Sequence, residues 1–144
     1  MNSSFFDFQV FLPPTGDISV VGQHQKKVTI LCDYSDDTTE QIDFLRKIMS
    51  AAKFDLDTDV ALIQLKNQQD WQFVSYQRQS QPKYCISFGV TPQRMGLQFN
   101  TQPYQPFSYA DCTFLFAHPL ANLQENVAYK GALWKCLQHL FLKK

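Results

Sequence analysis

Two polar residues stand at the ends of apolar runs, where an open α/β sheet places its chemistry. His118 follows the β-rich run Cys112 to Phe116 and precedes Pro119. Proline offers no N–H and pushes the residue before it toward an extended conformation, so a strand must stop there. A histidine held at that point either hydrogen-bonds locally or binds an anionic or carbonyl group. Asp33 closes a second apolar run, Val28-Thr29-Ile30-Leu31-Cys32, and opens the acidic stretch Asp33-Tyr34-Ser35-Asp36-Asp37. Acids there suit a strand-to-helix turn and the positive end of a helix dipole. His24 and His139 have no comparable neighbours and read as surface residues.

Other chemistries lack their patterns. The five glycines, at 16, 22, 89, 96 and 131, are scattered and make no phosphate-binding loop. No serine sits in a nucleophile elbow. The four cysteines, 32, 85, 112 and 136, are nowhere closer than 24 residues, so neither a Cys-x-x-Cys pair nor a zinc spacing occurs. They read as reduced core residues, since free cysteine behaves as a small hydrophobe. No metal and no cofactor is expected.

A chain of 144 residues makes one domain with room for a core, and 44% hydrophobic residues fit a globular protein. Thirteen basic and thirteen acidic residues cancel. A neutral chain has no overall field to draw it onto nucleic acid or an anionic membrane, so strong direct nucleic-acid binding is not expected. No run approaches the ~18 apolar residues of a membrane span, and the first residues lack the basic and apolar regions of a secretion signal. The expected location is the cytoplasm.

The elements that would position Asp33 and His118 follow from periodicity. Residues 1–25 read as an N-terminal aromatic arm, and 26–144 as a single α/β domain. Phe5, Phe6, Phe8, Phe11 and Leu12 crowd the arm, and Pro13-Pro14-Thr15-Gly16 breaks it. So many exposed apolar side chains need a use. They are an edge or cover for the domain's own core, or a partner-docking segment. Lys27–Asp33 is a first strand, its continuous apolar run from Val28 to Cys32 typical of a strand covered on both faces. Thr38-Thr39-Glu40-Gln41 has the form of a capping box, with Thr38 as N-cap, and Ile42, Leu45, Ile48, Met49 and Ala52 carry a helix to about Lys53. Val60–Leu65 is a second strand. Asp70–Gln79 permits a helix capped by Asp70 or a strand, and the helix is preferred. Tyr84–Phe88 is a third strand. Thr91–Gly96 forms one helical turn with proline at its start and glycine at its end. Residues 98–110 form an irregular loop. Cys112–Phe116 is a fourth strand. From Asn126 to Leu142 runs a helix; Leu123, Val127, Lys130, Trp134, Leu137 and Phe141 fall at alternating spacings of four and three, Leu133 and Leu140 widen that stripe, and it faces the sheet with Trp134 packed against it. This order implies a mainly parallel four-stranded sheet with helices on its faces.

The tail also carries a resemblance. Phe116-Ala117-His118-Pro119-Leu120, followed by Lys130-Gly131-Ala132-Leu133-Trp134, resembles the end of the uracil-DNA glycosylase superfamily, where a His-Pro motif follows the last strand. The Val28 strand with Asp33-Tyr34 stands where that superfamily carries its catalytic Gly-x-Asp-Pro-Tyr motif. Ile86-Ser87-Phe88-Gly89 stands where it has an apolar strand ending in glycine. The resemblance implies a three-layer α/β/α sandwich. The motif's glycine and proline are missing here, and the strand that reads the uracil edge has no clear counterpart. Within this fold the chain is similar to the psi subunits of bacterial DNA polymerase III. The shared pattern is an Asn, a basic residue three or four positions on, then Ala-Leu-Trp, here Asn126, Lys130 and Ala132-Leu133-Trp134. That similarity implies a non-catalytic adaptor of DNA replication. Its N-terminal segment would dock onto clamp-loader subunits, and its body would bind a chi-like protein that contacts single-strand-binding protein. The partner-binding residues it implies are Phe5, Phe6, Phe8, Phe11 and Leu12. The superfamily implies an alternative, a small glycosylase with Asp33 positioning water and His118 stabilising the departing base.

Overall fold

A strand that is apolar on both faces needs cover on both faces, and that requirement organises the chain. The computed structural model describes residues 19–33, 38–65 and 71–142. In chain order its elements are strand β1 (Ser19–Val21), β2 (Val28–Asp33), helix α1 (Thr38–Ala51), β3 (Val60–Leu65), α2 (Phe73–Ser80), β4 (Tyr84–Phe88), a 3-10 turn (Pro92–Met95), β5 (Phe107–Tyr109), β6 (Cys112–Ala117), α3 (Leu120–Glu125), α4 (Val127–Leu137) and a π-helical turn (Gln138–Leu142). One mixed sheet runs β1-β3-β2-β4-β6-β5. Its four central strands are parallel to one another, and the edge strands β1 and β5 are antiparallel to their neighbours.

Successive side chains of the central strands alternate between two cores. Ile30, Leu62, Ile86 and Leu115 face α1, α3 and α4, where Leu45, Met49, Leu123, Leu133 and Leu137 meet them. Leu31, Ile63, Cys85 and Phe114 face the other way, against α2, the 3-10 turn and the following loop, which contribute Phe73, Met95 and Leu97. Phe114 is the aromatic centre of that second core, with the Phe73 ring 4.8 Å away and the Phe107 ring stacked at 5.6 Å. All four cysteines are buried and free, as their apolar surroundings imply.

Several expectations are corrected. Among the described residues the sheet has six strands rather than four. The two extra strands are three residues each, too short to leave a period of two in the sequence. β1 lies inside the stretch read as an arm, and Gln23 and Gln25 donate backbone hydrogen bonds to the 57–59 turn. β5 lies inside the loop read as irregular, paired with β6 so that Phe107 stands opposite Phe114. The C-terminal helix starts where expected, with the Asn126 Oδ1 accepting a hydrogen bond from the Tyr129 N–H as its cap, but it passes into a π-helical turn over Gln138–Leu142, and a separate short helix, α3, precedes it. Of the stripe, Leu123, Leu133 and Leu137 are buried as expected, joined by Cys136, which it did not include, while Val127 is 82% exposed and Trp134 is half-buried. The apolar residues of α4 spread round much of its circumference, so spacing alone does not select the buried side. α2 starts at Phe73 and has no side-chain cap; Asp70 lies outside the described residues, as do the side chain of Thr38 and the whole of Phe5–Leu12.

His24 is corrected too. It is half-buried, not a surface residue, whereas His139 is exposed. Its Nε2 lies 3.0 Å from the Thr29 hydroxyl, which in turn is 2.7 Å from the Tyr76 hydroxyl. Thr29 is fully buried, so this chain of three groups satisfies the polar atom on the inner face of β2. Burial, and then the charge of Lys27, lower the His24 pKa below its ordinary 6.5. The neutral ring is therefore favoured in the folded state. Its contribution is full above the unfolded value of 6.5 and is lost as pH falls through the lower folded value. His24 has φ 57°, a conformation asparagine tolerates, so His24→Asn removes the titration with little backbone strain. Between about pH 7.5 and pH 5 the urea midpoint of the wild type should fall further than that of His24→Asn. Equal falls would show that His24 does not titrate differently on folding.

Candidate functional site

The order of the parallel strands creates a switch point. From β2 the chain turns to β3 on one side, and β4 leads to β6 on the other. Open α/β sheets bind ligands at the carboxyl ends of strands beside such a reversal. The register sets Cys32 opposite Phe88 and Phe88 opposite Ala117. The next residues along are Asp33, Gly89 and His118, so they form one row across the sheet's carboxyl edge. Two strand spacings separate Asp33 from His118, roughly 10 Å between backbones.

Each end of that row is tied to internal partners. At one end the Arg94 guanidinium donates from Nη1 to Asp33 Oδ1 at 2.7 Å. Arg94 comes from the 3-10 turn and is half-buried, and its carbonyl accepts from the Trp71 N–H. At the other end the His118 ring lies flat on Tyr129 of α4, with centroids 3.8 Å apart and planes 6° off parallel. The Tyr104 hydroxyl is 2.8 Å from His118 Nδ1, and it also accepts from the His118 backbone N–H at 3.4 Å. A phenol has one proton. Its oxygen accepts from the backbone N–H and keeps a second lone pair, so toward Nδ1 the hydroxyl donates or accepts according to the tautomer of the His118 ring.

Tyr104 is held firmly for a loop residue. Its φ is +63°, its N–H donates to the Phe116 carbonyl and its own carbonyl accepts from the Cys136 thiol. Burial raises its phenol above the ordinary value of 10. It therefore stays a neutral hydroxyl across the physiological range.

Gly89 is the middle of the row and has φ +84°. A Cβ there would come within 2.8 Å of the Pro119 ring. Its N–H donates to the Ala117 carbonyl at 3.0 Å, and the Ser87 hydroxyl closes the same turn by donating to the Val90 carbonyl at 2.6 Å. Beside it a cleft of about 350 Å³ runs between the turn after β4 and the loop before β5, lined by Thr91, Asn100, Thr101 and His118 among others. Asp33 does not line it. The two sequence candidates thus share one edge of the sheet and do not share one cleft. Arg94, Tyr104 and Tyr129 had no signal in the sequence: each owes its place to a contact distant along the chain. Among the described residues no group of three or more His, Cys, Asp or Glu side chains could hold a metal ion.

The fold and this edge define an α/β protein with a mixed, mostly parallel sheet. No family model matches the chain, and no curated protein matches it. Among the described residues no helix is long and apolar enough to cross a membrane.

Two substitutions test the geometry. Gly89→Ala should cost about 1–3 kcal/mol for its positive φ alone, with more from the clash on Pro119, read as a lower urea midpoint. An unchanged midpoint would mean that the turn passes Pro119 with room to spare. Tyr104→Phe removes the hydroxyl bonded to Nδ1 and should cost about 0.5–1.5 kcal/mol. In the His118 ring NMR spectrum, the balance between the two tautomers should shift once the hydroxyl no longer holds Nδ1 in one role. Identical spectra for wild type and variant would show that Tyr104 does not set the tautomer.

Proposed function

We propose that this protein is a non-catalytic protein–protein adaptor of DNA replication, of the kind the psi resemblance implies, on a three-layer, uracil-DNA glycosylase-like fold. One observation carries most weight: Asp33 and His118 stand in one row, yet each is engaged internally, the first by Arg94 and the second by Tyr104 and Tyr129. A base-excising site needs a carboxylate free to hold water and a histidine facing the same base. With the two in separate surroundings about 10 Å apart, that geometry is poor, and catalysis tolerates little misplacement. The zero formal charge fits a protein that reaches DNA through partners rather than directly. In this reading the partners are clamp-loader subunits, met by the aromatic arm, and a chi-like protein, met by the body. The setting is the cytoplasm.

Two experiments bear on it. The wild type should release no uracil from single-stranded or mismatched DNA. Robust release that disappears in Asp33→Asn would replace the adaptor reading with the glycosylase one. In a pull-down from the native host, the full chain should retain clamp-loader subunits, and Phe5→Ser with Phe8→Ser should lose them while keeping any chi-like protein. Retention of neither class by the wild type would end the adaptor proposal.

A further inference from the structure

An apolar groove lies open on the helical side of the sheet, between α1 and α4. Phe44 and Ile48 of α1 form one wall, and Leu133 and Trp134 of α4 the other; Lys47 and Lys130 also line it. Its volume is about 300 Å³. Phe44, Ile48 and Trp134 are only half-buried, while both lysines are exposed. The Lys130 ammonium lies 5.7 Å from the centre of the Phe44 ring, so a cation already sits beside the aromatic wall. Aromatic surface flanked by two cations suits an apolar segment that carries an acid.

The chain contains such a segment within reach. Phe5, Phe6, Phe8, Val10, Phe11 and Leu12 surround one charged side chain, Asp7. The described chain begins at Ser19, in the edge strand paired with β3. Phe8 lies eleven residues earlier. An extended chain of that length spans up to roughly 36 Å. Crossing two strand spacings and one layer, each step about 5 and about 10 Å, needs less.

We propose that Phe5–Leu12 of this same chain docks in the α1/α4 groove, with its phenyl rings against Phe44, Ile48 and Trp134 and Asp7 beside Lys47 and Lys130. The arm that the adaptor reading offers to a partner is then stowed on the body until the partner takes it. Docking rests on the groove and the composition of the arm, and holds whoever the partner is.

The test uses the full chain with 5-fluorotryptophan at both tryptophans. Trp134 lines the groove, and Trp71 belongs to the opposite core, so the second fluorine resonance is an internal control. Trp134→Phe assigns the two. The four native cysteines are buried, so a nitroxide attached through Gln9→Cys labels the arm selectively. The expected result is broadening of the Trp134 resonance, not of Trp71, unchanged on dilution and lost in Lys47→Glu with Lys130→Glu. Equal broadening of both resonances, or of neither, overturns the proposal. So does broadening that arises only when labelled and fluorinated chains are mixed, because the occupant is then the arm of a second copy. A chain that retains clamp-loader subunits yet shows no Trp134 broadening loses the docking and keeps the adaptor reading.

Discussion

The turn after β4 passes Pro119 with no space for a side chain, and much of the molecule depends on that contact. Gly89 can make it because it has no Cβ and accepts a φ of +84°. Its N–H then closes onto the Ala117 carbonyl and joins the carboxyl ends of β4 and β6. Pro119 is the residue from which α3 starts, and α3 leads through the Asn126 cap into α4. The close approach at one glycine therefore sets where α4 begins. Tyr129 sits in the first turn of α4, so it also sets what the His118 ring lies on.

The same edge shows how polar groups at strand ends are stabilised by partners within the chain. Asp33 has a guanidinium beside it, and His118 has a phenol and an aromatic face. Bonds between charged partners are stronger than neutral ones, so the Asp33–Arg94 pair fixes the 3-10 turn to the end of β2. The Asp33 side chain is 41% exposed, and water weakens the pair accordingly. Its main effect is to fix position. The row ties the 3-10 turn, the loop before β5 and α4 to the carboxyl ends of the strands.

The two faces of the sheet are covered in different ways. Under α2 and the loops, aromatic rings fill the space, with Phe107, Phe114 and Phe116 stacked nearly parallel. Under α1, α3 and α4 the buried filling is mainly aliphatic, with Phe88 as its one fully buried ring, and the half-buried Phe44 and Trp134 stand outward at the groove. Part of the apolar surface thus lies between two helices, where a segment of chain can lie along it.

The four central strands were legible in the sequence because each is a continuous apolar run, and such runs are buried on both faces whatever packs on them. Helix α1, the turn with Pro92 and Gly96, and the stops at Asp33 and His118 were legible for the same local reasons: periodicity, proline and glycine act on their own neighbours. The edge strands were not, since three residues carry no period and their pairing with β3 and β6 comes from the ends of other strands. The buried side of α4 was legible only in part: Leu133 and Leu137 lay on the expected stripe, but so did Val127, which is exposed, because apolar residues stand on several faces of the helix. The residues around Asp33 and His118 show the division most clearly. Sequence placed both at strand ends. Only tertiary structure decided that Arg94, 61 positions beyond Asp33, and Tyr104, brought to His118 by a loop without regular spacing, would hold them, because such contacts are set by strand order and not by anything adjacent in the chain.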